Sequence, residues 1–165
     1  LQTSDKDVKY SELWKEFVNE IEKGGEYRDF VSEFTKRNDF HFEYEWSYKY
    51  KFHIKPHPDA DNKLFTQLFY LLDENNWKDD WGGHTSIFWN NKDPLWKVKK
   101  FLNRSRDREE FDDFKSYKSP KIIGNYSFFF LVSLYSMHGV FPYDTTKNGK
   151  YLRKVFFPIA TKNEN

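Results

Sequence analysis

The chain has no cysteine, a single methionine at Met137, two alanines and seven glycines in 165 residues. Without a thiol there is no disulfide scaffold, no thiolate zinc site, no iron–sulfur cluster and no cysteine nucleophile. No stretch approaches the roughly 20 apolar residues that cross a bilayer as a helix. The most apolar run, residues 126–137, is interrupted by Ser127, Ser133 and Ser136 and reads as a core element. The few glycines form neither GxGxxG nor GxxxxGK[ST], which excludes the standard nucleotide loops. GxSxG, HExxH and HxH are also missing, and no Ser-His-Asp arrangement follows from spacing.

What the chain has in surplus is aromatic side chains. Six Trp, 11 Tyr and 18 Phe make 21% of the residues and outnumber the aliphatic ones. Leu, Ile, Val and Phe together supply about a quarter of the chain, above the range of disordered sequences. One domain spanning residues 1–165 is expected at this length. The start Leu1-Gln2-Thr3-Ser4 reads as a trimmed or processed product. A cytoplasmic location is expected, with a removed leader compatible with it.

The formal net charge of +1 conceals segregation, because residues 1–113 are net acidic and residues 114–165 net basic. A nucleic-acid binder would carry a more lopsided total, so nucleic acid is not the expected partner. Lys97, Lys100 and Arg104 share a helical face, but Glu109, Glu110, Asp112 and Asp113 follow at once and would repel the same phosphates. That acidic run suits a basic protein partner better.

Periodicity supplies the elements. Tyr10, Leu13, Trp14, Phe17, Val18 and Ile21 recur at helical spacing, and Gly24-Gly25 offers a helix stop. A second helix carries Tyr27, Phe30, Val31 and Phe34 and ends near Asn38. From Phe40 to Ile54 every even position is apolar while the odd ones are His, Glu, Ser or Lys. That alternation predicts β structure with one aromatic and one polar face, as a single long, bent strand. Asp59 or Asp61 caps a predicted helix over 62–74, with Leu64, Phe65, Leu68, Leu71 and Leu72 inward. A short strand is expected over 84–89. A helix follows Asp93-Pro94, and a weaker one lies around Phe111 and Phe114. Residues 121–140 fit a buried strand pair or a buried helix equally by pattern, and their Phe, Tyr and Val content leans towards β. Asn148-Gly149 signals a hairpin, with 151–158 as the returning strand. The expected class is α+β: an N-terminal helical hairpin and further helices on one face of a mostly antiparallel, strongly bent sheet.

Three groups of residues are candidates for function. Glu43, Glu45, Lys49 and Lys51 form a charged ladder on the polar strand face, suited to setting a partner's register. The loop Trp77-Lys78-Asp79-Asp80-Trp81-Gly82-Gly83-His84 offers aromatic anchors beside acids. Glu109, Glu110, Asp112 and Asp113 are the third group. Together they point to a protein-binding domain of the bacterial or phage inhibitor or immunity type, acting on another protein such as a toxin or nuclease without a cofactor. A small hydrolase or nuclease using His53 or His84 with a carboxylate and Lys51 is the alternative, and glycan binding through Trp77 and Trp81 a third. The histidines carry no ligand spacing. His41 and His53 share a strand face but stand about 40 Å apart along it, and the prolines around His57 break any helix there.

Overall fold

The alternating segment 40–54 is carried by two strands, β1 (Phe40–Lys49) and β2 (Lys51–His57), divided at Tyr50. The computed structural model describes residues 12–23, 25–73, 75, 77–90, 92–103, 108–118, 120–147, 149 and 151–163. The remaining strands are β3 (Lys63–Tyr70), β4 (Thr85–Asn90), β5 (Phe114–Lys118), β6 (Ser127–Leu131), β7 (His138–Asp144) and β8 (Arg153–Lys162). They form two four-stranded sheets, in the orders β1-β8-β3-β6 and β2-β7-β4-β5. All pairings are antiparallel. The long alternating run therefore starts on the edge of one sheet and ends on the edge of the other.

Helices cover the outer face of the first sheet. α1 (Glu12–Lys23) and α2 (Gly25–Thr35) present Trp14, Phe17, Val18, Ile21, Tyr27, Phe30 and Val31 to rings from β1, β3 and β8. Phe156 of β8 is fully buried there, within 6.3 Å of the ring centroids of Trp14, Phe17, Tyr44, Trp46 and Phe69. Burying one such ring stabilises by about 1.5–3 kcal/mol, so this layer is a principal source of cohesion. Leu13 lies outside the stripe and is exposed; Tyr10 and Gly24 fall outside the described residues.

Between the sheets, Leu68 and Tyr70 of β3, Phe130 of β6, Val155 of β8 and Val140 and Tyr143 of β7 form the central core with Leu72, Trp77 and Ile122. A third cluster lies on the outer face of the second sheet. There Phe88, Phe114 and Met137 pack beneath Trp96 of α3 (Trp96–Asn103). The layers thus run α1 and α2, first sheet, second sheet, α3.

The α+β class, the N-terminal pair of helices and the antiparallel pairing agree with the sequence reading. Four element assignments change. Residues 63–70 are a strand, not a helix. β3 sits between β8 and β6 and is buried on both faces, so its apolar residues lack alternation. The predicted hairpin at 148–149 joins no paired strands, because β7 belongs to the second sheet and β8 to the first. Gly149 does adopt a positive φ of 95°, whereas Asn148 lies outside the described residues. The expected helix around Phe111 and Phe114 is a single 3-10 turn over Phe111–Asp113, and Phe114 starts β5. The single long strand is interrupted where it changes sheet.

Candidate functional site

A cavity of about 380 Å3 opens between the two sheets, within the usual range of ligand pockets, about 300–1,000 Å3. Its floor is apolar, with Phe52, Ile54, Leu68, Phe130, Val140 and Phe157. Its polar lining is rich in charge: Glu45, Lys49, Asp59, Lys63, Arg108 and Arg153, joined by His57 and His138. Among the described residues four cations and two acids line it, a net positive lining with neutral histidines.

Arg153 is the most unusual of these. It opens β8 and is 1% exposed, fixed between the sheets. Its Nε donates to Gly83 O at 2.8 Å, its Nη2 donates to Thr85 Oγ1 at 2.9 Å, and its guanidinium lies 5.7 Å from the Tyr70 ring centroid. Each of these partners is neutral. Among the described residues no carboxylate forms an ion pair with it. Burial lowers its pKa from the ordinary value, yet a guanidinium keeps its proton in proteins. A positive charge is therefore held in the interior with no carboxylate among the described residues paired to it.

The Gly-Gly segment singled out in the sequence is what makes this possible. Gly82 and Gly83 adopt φ of 80° and 77°, a region that favours glycine. A Cβ on Gly82 would stand 2.3 Å from Pro142 O, and one on Gly83 would stand 2.9 Å from Trp77 Cζ2 and 3.4 Å from Arg153 Cδ. Gly83 N also donates to Phe141 O at 3.1 Å. The turn brings the Gly83 carbonyl and the Thr85 hydroxyl to the guanidinium.

Deeper chemistry gathers around Asp59. The β2–β7 register places His57 opposite His138, with ring centroids 4.5 Å apart. His57 Nδ1 lies 2.9 Å from Lys55 O, and His138 Nδ1 lies 3.1 Å from Ser136 O. A carbonyl only accepts, so each Nδ1 carries a hydrogen and a neutral ring keeps its lone pair on Nε2. His138 Nε2 stands 3.7 Å from Asp59 Oδ2. Thr66 Oγ1 donates to the same oxygen at 3.1 Å, and Lys63 Nζ donates to Oδ1 at 3.2 Å. Burial pushes His138 down to about 4 against the attraction of Asp59, and lowers His57 as well. For Asp59, burial works upward, but His138, Lys63 and Thr66 outweigh it and hold the carboxyl below its ordinary value.

The sequence candidates are dispersed by comparison. Glu45 and Lys49 line the cavity, while Glu43 is exposed beside His41 Nε2 at 3.4 Å, and Lys51 pairs with Asp144 at 2.9 Å. Trp77 is 4% exposed and packs in the core against Trp81 and Tyr143. Trp81 stacks on Tyr151 at 5.3 Å. Asp79 and Asp80 are exposed, with Asp79 Oδ1 3.7 Å from His84 Nε2. In the acidic run, Glu109 accepts from buried Lys100 at 2.6 Å and from Trp96 Nε1 at 3.1 Å. Glu110 pairs with Lys55 at 2.5 Å and Asp113 with Lys92 at 3.7 Å, while Asp112 is exposed. Much of that run holds α3 and β2 in place. His53 is exposed on β2. Arg104 lies outside the described residues.

Sequence reading missed Arg153, His57, Asp59 and His138. The His57-Pro58-Asp59 triplet at a strand end was the available signal. Its partner His138 lies 81 residues away, and only the strand register joins them. Comparison with known protein families and with curated proteins finds no match for this chain, so function is argued from the site.

Proposed function

We propose that this protein binds a small anionic ligand, carrying a carboxylate or phosphate group, in the cavity between its sheets. The carrying observation is Arg153, a buried guanidinium whose partners among the described residues are all neutral and which lines the cavity. Removing such a charge from water costs several kcal/mol, and a planar donor fork is suited to a carboxylate or phosphate that restores the balance. Lys49, Lys63 and Arg108 on the same lining add attraction for the anion, and the apolar floor accommodates an uncharged body.

Thermal shift with inorganic phosphate, citrate and a nucleoside monophosphate tests this reading, with sodium chloride at matched ionic strength as control. One of the anions is expected to raise the melting temperature beyond the salt control, and Arg108→Gln and Arg153→Met to abolish that gain. Arg108 is exposed, so its variant reports on binding even where Arg153→Met weakens the fold. No anion-specific stabilisation, or stabilisation equal in both variants, overturns the proposal.

A second reading, a protein-binding module of the inhibitor type, draws support from α3 and its surroundings. Leu95, Val98, Phe101 and Leu102 are 54–72% exposed beside Trp89 at 48%, an apolar patch of the kind interfaces use. Phe101→Lys with Leu102→Lys is expected to abolish capture of any specific partner. Equal capture by wild type and variant removes that role for this face.

A further inference from the structure

We infer that His57, Asp59 and His138 form a binding site for a divalent transition-metal ion of the zinc class. One ligand atom from each of the three lies within 4.8 Å of the other two. Bonds of about 2.0–2.2 Å in a tetrahedral site put ligand atoms about 3.4 Å apart. The 3.7 Å between His138 Nε2 and Asp59 Oδ2 is already close to that separation, and small side-chain rotations close the remainder.

The hydrogen bonding around the cluster favours this use. Both imidazoles are anchored through Nδ1 to backbone carbonyls, of Lys55 and Ser136. This leaves Nε2 as the metal-binding nitrogen of each neutral ring. Anchoring of the distal nitrogen is the usual outer-shell support of a metal-bound histidine. The carboxylate is oriented too, by the Thr66 hydroxyl on Oδ2 and the Lys63 ammonium on Oδ1. At 3.7 Å the His138 lone pair and the Asp59 oxygen face one another as two acceptors with no hydrogen bond between them. A cation between them resolves that repulsion.

Position supports the same inference. The rings hang from paired strand positions of β2 and β7, and His138 packs against Phe130 at 4.4 Å between centroids. All three residues line the cavity, so a fourth coordination position faces its interior, open to water or to a ligand. Two nitrogens and one carboxylate select zinc, cobalt, nickel or iron over magnesium or calcium. Lys63 and Arg108, the cations facing the cluster, oppose the metal electrostatically.

The test uses the full chain, stripped with a chelator and titrated with zinc chloride by calorimetry and with cobalt chloride by visible absorption. Stoichiometric binding of one metal per chain and the ligand-field bands of a low-coordinate cobalt site are expected. His57→Gln, His138→Gln and Asp59→Asn should each weaken binding by about tenfold or more, and His53→Gln should leave it unchanged. X-ray absorption of the zinc-loaded wild type should show two imidazole nitrogens at about 2.0 Å, a readout independent of whether any variant folds. No stoichiometric binding, zinc held without two imidazoles, or affinity unchanged in the His57 and His138 variants overturns the inference. Arg153→Met should leave metal binding intact, so failure of the anion proposal and failure of this one are distinguishable.

Discussion

At the scale of single residues, Gly82 and Gly83 show how an apparently spare loop feature serves the interior. The loop was legible in the sequence as more than a connector, because two tryptophans, two aspartates and a Gly-Gly pair cluster there. Its use was not legible. Trp77 is core, and the glycines allow the turn to reach Pro142, Tyr143 and Arg153. None of those contacts follows from local pattern. Gly82→Ala forces a Cβ to within 2.3 Å of Pro142 O at a φ of 80°, so both the backbone and its neighbour must move. Strain of this kind costs of order 1–3 kcal/mol. Chemical denaturation of Gly82→Ala should show a loss of that size. An equivalent alanine at Gly25, where the nearest atom is 4.0 Å away and φ is not positive, should cause no comparable loss.

Among the elements, legibility followed burial. β1 was readable because one face meets helices and the other is polar, giving strict alternation. β3 was not readable, because both faces are buried and its apolar residues mimic helical spacing. The sheet change after β7 was hidden for another reason: Asn-Gly signals a turn but does not say which strands the turn joins. The crossings are held by Thr145, which is fully buried. Its amide donates to Tyr50 O at 2.9 Å, and its hydroxyl reaches Tyr50 O at 2.9 Å and Tyr151 O at 2.5 Å. One side chain thus ties the β1-to-β2 passage to the entry of β8. Thr145→Val keeps the shape and removes the hydroxyl, leaving the Tyr151 carbonyl without that donor. A loss of about 1–3 kcal/mol is expected, measured by denaturant titration, whereas Thr145→Ser should retain most of the stability.

Across the whole molecule, the aromatic surplus becomes a statement about pH. Tyrosines make up 11 of the 35 aromatic residues, and several carry their hydroxyls into the core. Burial pushes the Tyr143 phenol up to about 12, and raises Tyr27, Tyr44, Tyr48 and Tyr70 as well. The unfolded chain ionises these phenols near pH 10. Above that value the unfolded state loses protons that the folded state keeps, so stability falls as pH rises towards the folded values. On the acid side the lowered Asp59 carboxyl acts in the same direction as His57 and His138, whose folded pKa values are lowered by burial. The neutral forms of the two histidines are fully compatible with folding above about pH 6.5. Below it the unfolded chain takes up protons first, so stability falls as pH drops towards the value of about 4 for His138. Each group contributes at most about 1.36 kcal/mol per pH unit to these slopes. The expected profile in metal-free buffer is a plateau from about pH 6.5 to 10 with a decline on both sides. Urea denaturation across that range measures it. His138→Gln should make the acid limb shallower while leaving the alkaline one unchanged, and Tyr143→Phe should make only the alkaline limb shallower, separating a contribution of the histidine cluster from one of the aromatic core.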